Sequence, residues 1–198
     1  NGILSISADN NLGMASGLPD QLTFNGGTLN ATNTFTLDSN RGITLDASNG
    51  TINVDTGQTL TYNGVAADGT GNSLTKTGDG TLLLGGSNNY GGVTDINAGT
   101  LELGQSEVLN DSSDVDVANS AIFNLAGNTE TIDQLDGASG SSVTLGSGGK
   151  LTADGGSFAG NITGDGTSEL EVNDSVTGNT LDLTGGDNSG FSGEMTVT

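Results

Sequence analysis

Cysteine, histidine and tryptophan are absent from this chain of 198 residues, proline occurs once, and lysine and arginine together number three. Without cysteine there are no disulfides and no thiolate metal sites. Without histidine, imidazole acid–base catalysis, His-ligated zinc and the Ser-His-Asp and Cys-His nucleophile systems all fall away. The three cations, Arg41, Lys76 and Lys150, stand against 24 acids for a net charge of −21. Nucleic acid is thereby disfavoured as a partner, because phosphate recognition needs a basic stripe. No apolar run of membrane-spanning length, signal peptide or amphipathic helix is present, so this segment neither inserts into a membrane nor targets one. The acidity suits a long soluble surface in salty or calcium-containing surroundings, where screening limits self-repulsion.

What the chain has instead is glycine, 35 residues of it, among Asn, Asp, Ser and Thr, all turn formers. Between these turn residues the apolar side chains recur at every second position. Within 74–104, Leu82, Leu84, Tyr90, Ile96, Leu101 and Leu103 lie at even offsets inside short runs, as on one face of a pleated strand. Gly78, Gly80, Gly86, Gly92 and Gly99 separate the runs, and Pro19 falls in the turn Ser16 to Asp20. Glycine content and charge alone would fit a solvated tail, but the regular return of Leu, Ile, Val and Phe argues for a buried core.

The run Leu74-x-Lys76-x-Gly78-x-Gly80-Thr81-Leu82-x-Leu84-x-Gly86-x-Asn88-x-Tyr90-x-Gly92-x-Thr94-x-Ile96, followed by Gly99-Thr100-Leu101-x-Leu103-Gly104, resembles the autotransporter-associated β-strand repeat of secreted passenger domains in Gram-negative bacteria. The resemblance implies an all-β fold, a right-handed parallel β-helix. It also implies an extracellular or cell-surface location, reached through a membrane barrel outside this segment. At ~20 residues per rung and ~4.8 Å between stacked strands, the chain would make about nine or ten rungs and a rod of about 45 Å.

A Gly-x-Leu/Ile signature starts at Gly2, Gly27, Gly50, Gly80 and Gly99, 19 to 30 residues apart, a solenoid spacing. A longer recurrence underlies it. Leu4, Ile6 and Leu12 return as Leu101, Leu103 and Leu109, 97 residues on. Phe24-Asn25 returns as Phe123-Asn124, Ile43-Thr44-Leu45 as Val143-Thr144-Leu145, Gly50-Thr51-Ile52 as Gly149-Lys150-Leu151 and Leu82-x-Leu84-x-Gly86 as Leu181-x-Leu183-x-Gly185, at offsets of 99 or 100. The expected organisation is one elongated domain over 1–198 made of two diverged units, about 1–97 and 98–198. Neither Asn1 to Ser7 nor Glu194 to Thr198 reads as a polar cap, so the chain is expected to be a section of a longer array.

Candidate chemistry is confined to carboxylates. Asp114 and Asp116, and Glu169 and Glu171, place two acids on one side of a strand about 6.5 to 7 Å apart, a spacing that suits an inverting glycosidase. The preferred reading is that these acids alternate with core residues because they face water. Arg41, Lys76 and Lys150 each read as an outward charge or a stem packed along the rung, not as the base of a β-helix lyase. The stretch Asn110 to Asp116 alternates oxygen-bearing side chains, but it lacks the central glycine and distal glutamate of an EF-hand loop. It is read as a solvated acidic turn, with calcium as the one cofactor considered.

Tyr62 and Tyr90 read as stacked or rim aromatics, and Asn25, Asn30, Asn53 and Asn124 as ladder candidates. Thr34-x-Thr36, Thr59-x-Thr61 and Thr75-x-Thr77 are unequally spaced, by 25 and 16 residues, so a flat lattice-matching threonine face is not expected. No catalytic, cofactor-binding or metal residue is assigned. The leading functional expectation is a non-enzymatic adhesin or stalk whose partners are other surface proteins, glycans or itself. The alternatives are a polysaccharide-acting lyase or glycosidase and then an ice- or mineral-binding solenoid.

Overall fold

The structure is a computed structural model that describes residues 2–18, 20–68, 71–173 and 179–198. Asn1 and Pro19 lie outside the described residues. The alternation of apolar and polar residues becomes short strands, mostly of three to five residues, every recorded pairing between them being parallel. Consecutive strands do not pair. Each instead pairs with a strand about one turn away, the signature of a solenoid, and the all-β parallel coil expected from the sequence is what forms.

Each turn has three sides. The first carries Ile3–Ile6, Thr28–Ala31, Gly50–Val54, Leu74–Thr77, Thr94–Ile96 and Val115–Val117 in stacking order. It continues through the ends of the nine-residue strands Thr129–Gly137 and Lys150–Phe158 to Leu181–Leu183. The second is the seven-stranded sheet running from Phe35–Leu37 to Asn161–Thr163. The third begins with Leu22–Phe24, Ile43–Leu45 and Ala66–Asp68. It resumes at the front of Thr129–Gly137 and Lys150–Phe158, then Glu169–Val172 and Glu194–Val197. Ten strands along the longest path make about nine turns.

The third side is interrupted at residues 88–90 and 107–109, where no strand forms. Side-chain groups take over the ladder there. Ala66 N donates to Asn88 Oδ1 at 2.8 Å, Asn88 Nδ2 donates to Gly86 O and Val108 O, and Asn88 N donates to Val108 O. A buried amide thus keeps the backbone groups paired where the pleat is lost.

Turn length is not constant. Along the first side, in-register partners are separated by 25 residues (Ile3 to Thr28), 23 (Thr28 to Thr51), 24 (Thr51 to Thr75), 20 (Thr75 to Asp95) and 21 (Asp95 to Asp116). The extra residues bulge at corners, and the core stays continuous. Leu29, Ile52, Leu74, Ile96, Val115 and Leu135 point inward on the first side, Leu60, Leu82, Leu101, Phe123, Val143 and Ile162 on the second. Stacking like upon like buries each side chain between the rungs above and below. Turns close through residues such as Gly78, whose φ of +74° is open to glycine at no cost and whose missing Cβ would strike Val54 O.

The sequence recurrence does not map side onto matching side. Phe24 and Ile43–Leu45 lie on the third side, their counterparts Phe123 and Val143 on the second. Gly50–Val54 is on the first side and Lys150, at its counterpart position, on the third; Leu82 is on the second and Leu181 on the first. Leu4 and Leu101, at the shorter offset of 97, run from the first side to the second and stand outside that pattern.

Candidate binding surface

All three cations are engaged, in different ways. Lys150 faces outward, its Nζ 3.2 Å from Glu169 Oε2 and 2.7 Å from Glu171 Oε2. Of the two carboxylate pairs spaced like a glycosidase dyad, Glu169 and Glu171 are therefore bridged by an ammonium, which holds Glu171 below the usual carboxylate range.

Arg41 does not face outward. It is 1% exposed, its Nε and Nη2 reaching Asp9 Oδ1 and Oδ2 at 3.0 and 3.1 Å and its Nη2 reaching Gly13 O at 2.8 Å. The guanidinium depresses the Asp9 carboxyl and clamps the 9–13 segment onto the Asp38–Arg41 turn. Tyr62, buried, donates to Arg41 O at 2.8 Å, and burial pushes its phenol up to about 12.

Lys76 also departs from the outward reading. Its register, Ile52 to Lys76 to Ile96, makes it a core position, and it is 0% exposed. Its Nζ donates to Thr77 O, Gly78 O and Ala98 O at 2.8, 2.7 and 3.0 Å. Burial lowers its ammonium to about 8. Sequence reasoning overlooked Glu130, likewise 0% exposed and in register with Leu151. Its Oε2 and Oε1 accept from Val108 N and Leu109 N at 2.9 and 2.8 Å, and burial raises the carboxyl to about 8 against the pull of those donors. The available signal was its place in the alternation Thr129-Glu130-Thr131-Ile132, in phase with the apolar residue.

Tyr90 is a core side chain and not a rim aromatic, its hydroxyl 2.9 Å from Thr94 Oγ1. Burial raises its phenol. In the Asn110–Asp116 stretch, Ser112 N donates to Asn110 Oδ1 and the buried Ser113 donates to Tyr90 O, so part of the oxygen set is spent inside the turn. Among the described residues no group of three or more Asp, Glu, His or Cys is placed to hold a metal ion.

The outer surface of the first side changes character along the rod. Toward one end, Ser5, Asn30, Asn53 and Thr77 stack in register as a side-chain ladder. Asn30 Nδ2 donates to Ser5 Oγ at 3.3 Å, Asn53 Nδ2 to Asn30 Oδ1, and Thr77 Oγ1 to Asn53 Oδ1 at 3.1 Å. Beside it, Ile3, Thr28, Thr51 and Thr75 form a parallel column, and all of these residues but Thr75 line, with the ladder, a groove of about 530 Å³. Toward the other end the threonine column becomes Asp95, Asp116 and Asp136, stacked in register. Burial, then Asp116 against the help of Thr75, raises the Asp95 carboxyl; burial, then Asp133 and Asp136, raises that of Asp114.

Of the ladder candidates, Asn30 and Asn53 join one another, Asn124 donates to Glu102 Oε2 at 3.0 Å, and Asn25 is exposed. The threonine ranks also divide. Thr36 lies in register with Thr61 on the second side, whereas Thr75 and Thr77 belong to the first.

This architecture and the 74–104 motif meet in one family. The passenger-associated-transport-repeat family matches residues 74–103. The chain is a repeat-bearing autotransporter passenger segment. It is 41% identical over 180 aligned positions to the adhesin BmaC autotransporter of Brucella suis biovar 1 (strain 1330), the match covering 83% of this chain and 5% of that protein. Similarity extends to two Escherichia coli (strain K12) proteins. The uncharacterized lipoprotein YdeK is 34% identical over 103 residues, covering 52% of this chain and 7% of the relative. The uncharacterized protein YuaQ is 33% identical over 79 residues, covering 40% and 6%. The passenger segment thus spans only 5 to 7% of the length of these relatives. No solved structure matches it.

Proposed function

We propose that this segment works without catalysis, as a stiff adhesive section of a passenger displayed on the surface of a Gram-negative bacterium. The observation that carries this reading is a continuous core from Ile6 to Leu170 in a solenoid of about nine turns, in a chain similar over most of its length to an adhesin autotransporter. Each inner rung is paired on both sides, so local opening is costly and the rod projects its outer faces away from the cell. Contacts made by such faces are individually weak and add through repetition along the array. Partners are other surface proteins, glycans or further copies of the rod. The bridging of Glu169 and Glu171 by Lys150 speaks against that pair as the dyad of a polysaccharide-cleaving enzyme.

Beads coated with the purified segment test this. Adhesion to host or bacterial cells above that of beads carrying an unrelated acidic protein is the expected result. Failure to adhere, or release of new reducing ends or unsaturated sugars from a polysaccharide panel, would overturn it.

A further inference from the structure

The uncharged groove on the first side joins three properties that a binding site for a neutral sugar chain needs. Its lining carries no formal charge: Ser5, Asn30, Asn53 and Thr77 supply hydroxyls and amides on one flank, Thr28 and Thr51 hydroxyls and methyl groups on the other, with the exposed Ile3 at one end adding apolar surface for a sugar's C–H groups. One flank is fixed in advance. The relay from Thr77 through Asn53 and Asn30 to Ser5 holds both amides in one orientation, so a ligand does not have to order them.

The other flank is unspent. The hydroxyls of Thr28 and Thr51, on adjacent rungs about 4.8 Å apart, make no hydrogen bond to another described residue. Each amide also keeps capacity. One Asn30 N–H and one lone pair on each amide oxygen are left after the ladder bonds are made.

We infer that this groove binds a neutral, extended polysaccharide whose axis runs along the rod, one sugar unit to each rung. The rung spacing is comparable to the rise of a sugar unit in an extended β-linked chain, so donors and acceptors recur in step with the ligand's hydroxyls. Charge sets the class. An anionic glycan is repelled by the −21 chain and by the Asp95, Asp116 and Asp136 column on the same side, whereas a neutral one is not. No aromatic ring lines the groove, so affinity per segment falls in the millimolar range and effective binding comes from repetition. The inference rests on the adhesive reading and names the ligand class of one face.

The test is a titration of ¹⁵N-labelled segment with cellohexaose, followed by amide shifts, with hexagalacturonate as the anionic control. Saturable shifts confined to the first-side strands between Ile3 and Thr77 are expected for the neutral sugar alone. A Thr28→Val/Thr51→Val variant, which keeps β-branching on an outward surface, should bind at least 10-fold more weakly with an unchanged spectrum elsewhere. Absence of shifts at about 20 mM cellohexaose, shifts elsewhere on the rod, equal response to hexagalacturonate, or undiminished binding by the variant would each overturn the inference. The coated-bead assay keeps the two readings apart. Beads that adhere while cellohexaose fails to bind leave adhesion standing without this groove; beads that fail while cellohexaose binds retain the groove and remove the adhesive role.

Discussion

Raising the pH from 8 to 10.5 is expected to stabilise the fold through Lys76. Its ammonium is buried and titrates near 8 in the folded chain, against 10.5 when exposed on unfolding. Between those values the unfolded chain binds more protons than the folded one, so unfolding becomes less favourable as pH rises. Full separation of the two values sets a ceiling of about 3 kcal/mol. The carbonyls of Thr77, Gly78 and Ala98 stabilise the charged form, so the realised gain lies below that ceiling.

Urea unfolding of wild type and Lys76→Met at half-unit steps from pH 7 to 10.5 isolates the effect. Tyr62, Tyr90 and Lys150 titrate in both proteins and cancel in the difference. The wild type should gain on the variant by about 1 to 3 kcal/mol, most of it above pH 8. A flat difference, or one that falls with rising pH, would show that Nζ is solvated in the native state and refute its placement in the core.

Glu130 predicts the opposite sign in another window. Its folded value of about 8 exceeds the ordinary 4.5, so the wild type should lose stability relative to Glu130→Gln as pH rises from 4.5 to 8, by less than about 5 kcal/mol, in the same urea assay. Arg41→Met should cost about 3 kcal/mol by stranding Asp9 and freeing the 9–13 segment, seen as accelerated amide exchange there. Lys150→Met, at a half-exposed bridge between two glutamates, should cost less than about 1 kcal/mol in the same urea assay. Gly78→Ala, forcing a Cβ into positive φ against Val54 O, should destabilise by about 2 kcal/mol or more, measured by thermal unfolding.

The alternation that marks Leu82, Leu84, Leu101 and Leu103 as core was legible because inward positions on neighbouring rungs are apolar almost throughout. Arg41, Lys76 and Glu130 were misread or missed because charge was weighed above phase. Each sits where the backbone supplies partners, carbonyls for the cations and amide N–H groups for the carboxylate, and such partners leave no mark in the sequence. Register was hidden for another reason. Turns of 20 to 25 residues shift the spacing between stacked neighbours, so Thr36 over Thr61 and the Ser5 to Thr77 ladder emerge only when corner bulges are excised. The groove therefore could not be found by counting along the chain.

The mismatch between sequence recurrence and sides has a geometric meaning. Counting each side of a turn once, the passage from Ile43–Leu45 to Ser142–Thr144 takes fourteen steps, four whole turns and two sides more. A unit of that length behaves as a screw operation. Were such units repeated, each would sit two thirds of a turn further round than the last, and only the fourth would return to the side on which the first began. An array assembled from such units would wear any outward feature they share as a slow spiral stripe, open to a neighbouring surface whichever way the rod is rolled.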